Sequence, residues 1–417
     1  MFQAFSIIFL IAGLFSYINY RWIKLPNTIG LMMLGLLTSM LIILSKNIAP
    51  DLYEFFCKMV INIDFKTLLM DGMLSFMLFA GAMHVNIQDL AKEKMAILLF
   101  ASLGVLISTA IVGFLVYLVA PFIGIEIPLI HCLLFGALIS PTDPIAVIAI
   151  LKEAGVSRSL ELKIEGESLF NDGVGVVVFS GIMLLLGTGE VHEESSTIAS
   201  EIGLLFLEEA IGGLAYGIAL GFIGYYLMKS IKENAQLVVI ISLSIAIGGY
   251  AIASILHVSG PLALVVTGLI IGNKFNVVSN QGEARKMLNS TWEVLDEVLN
   301  GILFLLIGLS IHLLEFDTKY LILGLIAIVV VLLARFISVI LPISLLKHQE
   351  SKTMPTAKIL TWGGLRGGIS LALAMSLPAL TSNEVILFIT YILVIFSIIV
   401  QGLSIGKVVK LLGLTKK

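Results

Sequence analysis

Charge is what this sequence has least of. Asp, Glu, Lys and Arg make up only 13% of its 417 residues, where a soluble domain carries about 25%. That shortage excludes an ordinary soluble enzyme or binding module. Cysteine is nearly absent: Cys57 and Cys132 stand far apart, which excludes a disulfide framework and a cysteine-spaced metal site. Both read as small buried hydrophobes. No G-x-x-x-x-G-K-[ST] occurs, and no soluble segment could house one, so a nucleotide-driven pump is excluded. No basic block is long enough to suggest nucleic acid, and the net charge is -3. No cofactor or metal-enzyme motif is visible. The N-terminus lacks a basic n-region and a small-residue cleavage site, so its apolar run is expected to be a retained span rather than a signal peptide.

What is present is apolar. Hydrophobic residues make up 59% of the chain and the mean hydropathy is +1.08. A spanning helix needs about 20 apolar residues. Thirteen candidate spans follow: 2–19, 25–44, 66–86, 95–120, 129–151, 162–187, 203–228, 236–256, 260–273, 291–312, 319–346, 356–378 and 384–406. The expected class is all-α, a polytopic protein of one membrane domain in the bilayer. The longest polar loops fall at 45–65, 188–202 and 274–290. With the C-terminus taken as cytoplasmic, nineteen of the 25 Lys and Arg residues lie in loops on its side and four on the other. Arg335 and Arg366 fall inside spans. That asymmetry predicts the N-terminus outside and the C-terminus inside. Trp22, Trp292 and Tyr20 read as interface anchors.

Offsetting the spans by seven turns the chain into two six-span halves of opposite orientation, joined by span 7. Span 5 then corresponds to span 12. The first carries S-P-T-D-P and the second G-G-L-R-G-G. Proline removes a backbone donor and glycine weakens a helix. Interrupted segments at matching positions of inverted halves point to a transporter's binding site. Both spans are therefore expected to break at mid-depth and cross.

Ionisable groups in hydrocarbon are costly and usually mark an ion or proton path. Pro141 and Pro144 bracket Thr142 and Asp143. Freed carbonyls, a hydroxyl and a carboxylate are oxygen donors suited to a hard monovalent cation; the alternative is an aspartate that only caps the break. In span 6, Ser168 and Asp172 share one helical face, and Glu167 and Asn171 share the next. Asp172 is the expected exchange group. A carboxyl group withdrawn from water holds a proton or a cation, but not both comfortably. Arg366 needs a carboxylate partner, and Glu167, facing away from Asp172, is the candidate. Arg335 is left open between pairing with a carboxylate and serving the crossing. Asp71, Asp296 and Glu297 read as interfacial or vestibule charges. His84, His257 and His312 lie at span ends, where pH sensing is weighed against an ordinary surface role.

The motifs P-T-D-P at 141–144, E-S-L-F-N-D-G at 167–173 and G-G-L-R-G-G at 363–368, in that order and in those spans, resemble the monovalent cation:proton antiporter family, in its sodium/proton exchanger branch of prokaryotic type. The resemblance covers essentially the whole chain. It implies a homodimer whose mobile core is about 95–187 and 319–406. The implied dimerisation scaffold is about 2–86 and 236–312, with a linker helix at about 203–228. It implies Na+ (Li+ as a second candidate) held by Asp172, Thr142, Ser168 and Asp143 with Asn171 beside them, a structural pair Glu167–Arg366, no cofactor, and a place in the plasma membrane. The Asn171–Asp172 pair resembles the electroneutral branch. Some relatives carry an acid in span 3, in a motif like L-F-E-G-G; here L-F-A-G-A places Ala80 there. The chain is expected to lack the long cytoplasmic tails of animal exchangers. The expected activity is electroneutral Na+/H+ antiport by an elevator-like movement. K+/H+ antiport is the alternative that spacing alone does not separate. An intramembrane aspartyl protease is remote, because Asn171 and Thr142 stand where such enzymes need glycine before the aspartate.

Overall fold

In a bilayer every backbone donor and acceptor must find its partner within the protein, which favours helices that satisfy themselves. The computed structural model describes residues 2–46, 48–61, 67–187, 195–278, 282–314, 316–345, 353–377 and 382–414, and among the described residues every regular element is helical. In chain order these are α1 (Phe2–Ile18), α2 (Asn27–Ser45), α3 (Pro50–Ile61), α4 (Leu74–His84), α5 (Ile87–Lys92), α6 (Lys94–Leu99), α7 (Val105–Val119), α8 (Leu129–Ile139), α9 (Ile145–Glu153) and α10 (Arg158–Gly187). They continue with α11 (Ser195–Ser230), α12 (Ala235–Ile255), α13 (Gly260–Val278), α14 (Glu283–Leu309), α15 (Thr318–Leu345), α16 (Thr353–Trp362), α17 (Gly368–Met375), α18 (Asn383–Phe396) and α19 (Gly402–Leu411). Single π turns, Phe100–Gly104 and Ser397–Gln401, join α6 to α7 and α18 to α19.

Eight helical stretches among the described residues are long and apolar enough to cross a membrane on their own, and α4, α8 and Gly260–Phe275 are shorter apolar helices. The remaining expected spans are interrupted or carry charge. Helix stops after Ile139 and resumes at Ile145, and it stops again after Trp362 and resumes at Gly368. Pro141 and Pro144 cause the first break and Gly363, Gly364 and Gly367 the second.

Three expected loops are largely helical. The 45–65 loop holds α3, whose first turn carries Asp51 and whose last carries Lys58, charges that complement the helix dipole. Helix α11 begins at Ser195, and α13 and α14 extend to Val278 and from Glu283, which narrows the 274–290 connection. Trp292 is a second correction. It is fully buried, packs on Phe76 and Phe79, and donates its indole N–H to Ser242 Oγ at 3.0 Å. Its polar atom is satisfied inside the protein, so it needs no membrane interface. Trp22 and Tyr20 are exposed. The side chains of Asp71 and His312 lie outside the described residues.

Helices α2 and α14 pack along one another, α13 lies between α4 and α11, and α15 lies against α7, α16 and α18. Between helices in lipid, close approach of backbones through small residues supplies much of the attraction. The α2–α14 crossing depends on two glycines: a Cβ at Gly308 would lie 2.6 Å from Met32 O, and one at Gly35 would lie 2.9 Å from Leu305 O. Gly308→Leu is therefore expected to lower the melting temperature of the detergent-solubilised protein, at a cost of about 1–3 kcal/mol for overpacking. Gly13→Leu, where an added Cβ meets nothing within 4 Å, leaves it unchanged. Equal melting temperatures for the two variants would contradict the close crossing.

Candidate ion site

The two helix breaks lie against each other. The backbone N–H of Asp143 donates to Leu365 O at 2.8 Å. A Cβ at Gly367 would run into the Asp143 carboxylate, and one at Gly364 would lie 3.1 Å from Thr142 Cγ2. Glycine at these two positions is what lets the strands of unwound chain touch. The π turn of the last helix serves the second break. Ser397 Oγ accepts the Arg366 N–H at 2.8 Å, and Gln401 Nε2 donates to Trp362 O at 2.9 Å. The wider turn places both side chains toward backbone groups that the break leaves without helical partners.

Helix α10 presses its polar stripe against the first break. Ser168 Oγ donates to Thr142 O at 2.6 Å, and Asn171 Nδ2 donates to Thr142 Oγ1 at 2.8 Å. Thr142 is thus held at both its carbonyl and its hydroxyl. Asn171 is completely buried, and its Oδ1 has no hydrogen-bond partner. A cavity of about 290 Å³ opens in front of these residues, lined by Thr142, Asp143, Ser168 and Asp172. Asp143 and Asp172 repel each other across it. Four of the five expected ligands therefore share one cavity wall. Asn171 stands behind that wall and positions Thr142.

The expected Glu167–Arg366 pair is not what forms. Glu167 is gripped by both terminal nitrogens of Arg335 on α15, one contact being 2.9 Å and the other, Nη1 to Oε1, shorter. Arg335 also donates to Leu360 O at 3.3 Å. Arg366 instead gives Nη1 to two carbonyls freed by the first break, Ser140 O at 2.5 Å and Pro141 O at 3.0 Å. The cause is the proline break. Carbonyls that lose their helical donors in a buried place need a replacement, and the guanidinium beside them has donors to spare. With Arg366 occupied there, Glu167 takes the arginine that faces it from α15, in the two-pronged geometry that suits a carboxylate. Both groups remain buried, at 2% exposure for Arg366 and 1% for Glu167.

Comparison with known proteins agrees with these motifs. Residues 6–411 match the family model described as sodium/hydrogen exchanger, transmembrane. The chain belongs to the sodium/hydrogen exchanger family. It is 44% identical over 402 residues to the Na(+)/H(+) antiporter NhaP of Pseudomonas aeruginosa, covering 95% of this chain and 93% of that protein. It is 33% identical over 396 residues to the Na(+)/H(+) antiporter NhaH of Halobacillus aidingensis, covering 94% of each. The fold is similar to that of the sodium proton antiporter MjNhaP1 of Methanocaldococcus jannaschii, with a TM-score of 0.76 at 22% identity over 100% of this chain and 99% of that one. Family membership makes the chain a multi-pass transporter rather than an enzyme.

Four further polar side chains line the cavity of this exchanger, and residue spacing had not assigned them to it: His84, Glu165, Asp296 and Ser370. Glu165 was detectable, since 165, 168 and 172 form one helical stripe. Ala80 turns the other way. It is buried with Phe79, Met83, Phe275 and Trp292, and the α4 face toward the cavity carries Leu74, Met77, Leu78 and Gly81. An acid at position 80 would therefore point into a packed apolar cluster.

The arginine exchange is open to a double-mutant cycle. Removing either partner of the buried Glu167–Arg335 pair is expected to cost about 3–5 kcal/mol, read as lost thermal stability in detergent. The double variant E167A/R335A should recover part of that loss, while E167A/R366A should lose nearly the sum of its parts. A stronger coupling of 167 to 366 than to 335 would contradict the assignment.

Proposed function

We propose that this protein is a secondary antiporter that exchanges Na+ for H+, one for one, with Asp172 alternately cation-bound and protonated. One observation carries the reading: the charge balance of the buried site. Glu167 and Arg335 cancel. Arg366 supplies one further positive charge, bound to backbone carbonyls, against the two carboxylates Asp143 and Asp172 that line the cavity. With Glu165 set against Arg158 at 3.7 Å and Asp296 left to the scaffold helix α14, the groups at the crossing carry a formal charge of -1 when empty and are neutral with a single H+ or Na+. Moving net charge through hydrocarbon is costly, so the loaded forms cross and the empty form does not. A site that crosses only when occupied by one of two competing guests exchanges them.

The donors suit a hard cation: the Asp172 and Asp143 carboxylates, the Thr142 hydroxyl and the Ser168 hydroxyl. Asn171 keeps Thr142 in place. No cofactor enters the cycle. In this reading thirteen spans form two inverted six-helix halves. A moving core of about 95–187 and 319–406 slides past a dimerising scaffold of about 2–86 and 236–312, with 203–228 linking them. The N-terminus is outside and the C-terminus inside the plasma membrane. Glu165 in the cavity lining lies 3.7 Å from Arg158 of a basic connection, which on the expected orientation supports an opening toward the cytoplasm. The names of the bacterial relatives support Na+ as the substrate.

In everted vesicles with a pH dye, Na+ addition to the wild type is expected to move protons, and D172N to reduce that movement to background. At saturating Na+ the rate should not change with an imposed membrane potential. Full activity in D172N would refute the role of Asp172, and a voltage-dependent rate would refute one-for-one neutrality. Running Na+, Li+ and K+ in parallel reads the selectivity.

A further inference from the structure

Asp296 stands in the cavity wall opposite the site, and the exchange chemistry does not use it. It lies on α14, a helix that packs against α2 and α4. One helical turn on, Asn300 holds it. Asn300 Nδ2 donates to Asp296 Oδ1 at 3.0 Å and to Asp296 O at 2.8 Å. Asn300 is only 1% exposed and leaves its own Oδ1 buried without a partner. A buried carbonyl without a donor costs free energy, and here that cost accompanies the orientation of one carboxylate.

The surroundings of Asp296 are acidic. Asp143 lines the same cavity and Glu297 follows it on its own helix, and both are like charges that repel it when ionised. Asp172 and Glu165 from α10 and His84 from α4 line the same space. Among the described lining residues there is no Lys or Arg, and Glu297 is exposed at the protein surface with Asn27 as its donor. A half-buried carboxylate kept among acids without a cationic partner does not serve stability.

We infer that Asp296 is a scaffold-side carboxylate that, when ionised, tightens cation loading while the cavity is open, acting through its charge and not as a ligand. This rests on the proposed exchange and deepens it. The empty site bears a formal -1, and Asp296 raises its energy in this conformation. A cation entering relieves the repulsion, so the loaded state gains relative to the empty one. Low-dielectric walls such as Leu74, Leu303 and Ile369 concentrate that field in the cavity.

The test is Na+-dependent exchange by the full chain in proteoliposomes, with KM and Vmax measured separately. At alkaline pH, where protons do not compete for the site, D296N is expected to raise the KM for Na+ roughly three- to tenfold with Vmax retained, and D296E to restore KM. Added choline chloride should narrow the gap between wild type and D296N, because salt screens charge acting at a distance. An unchanged KM in D296N would overturn the inference. So would a fall in Vmax alone, or a D296E variant that melts like the wild type yet keeps the raised KM, since either marks a packing role. If the wild type itself shows no Na+/H+ exchange, the proposed function fails. If the wild type exchanges and D296N matches its KM, only the role of Asp296 fails.

Discussion

Everything in the site follows from one electrostatic constraint: a charge buried among helices in hydrocarbon must be matched. Three carboxylates and two guanidiniums meet at the crossing of the broken helices, Glu167, Asp143 and Asp172 against Arg335 and Arg366. One ion pair closes on itself. The other arginine is bound to backbone carbonyls, and the two remaining acids open onto a cavity. In the proposed exchange, a small cation or a proton neutralises this imbalance of one unit. A fully balanced site would have little reason to bind either, and one with a larger imbalance would be harder to fold.

The crossing makes this arrangement possible. A regular helix at 140–144 would use its carbonyls internally and offer Arg366 nothing. The prolines release those carbonyls, and the glycines at 364 and 367 let the second unwound segment come close enough for Leu365 O to accept the Asp143 N–H. The same unwinding exposes Thr142, which α10 fixes through Ser168 and Asn171. Local backbone chemistry therefore sets the location of the charges, and the charges set what the site can carry. The long apolar helices around it hold this geometry.

Much of this was legible in the residues. The two breaks were readable because proline and glycine act on the backbone locally, whatever surrounds them. The polar stripe of α10 was readable from helical spacing, and its contacts with Thr142 agree with it. The partner of Glu167 was not. Helical periodicity assigns a side chain to a face, but two arginines in two different spans can both reach a central helix. Which one does so depended on the unsatisfied carbonyls of a third segment. Trp292 and Ala80 illustrate the same gap. Trp292 read as an interface anchor and the resemblance set Ala80 where some relatives carry an acid, yet each is enclosed by aromatic side chains. Asp296 was visible as a charge near a span end, but its place in the cavity wall depends on how α14 packs against α2 and α4, which spacing does not give.

In the proposed exchange one acid serves H+ and an alkali cation by turns. Proton release on titrating purified protein with Na+, in weakly buffered solution over a pH series, reads this competition. Na+ binding is expected to expel up to one proton per site, in a pH-dependent amount, and D172N to release none. Sodium binding with no proton release at any pH would contradict it.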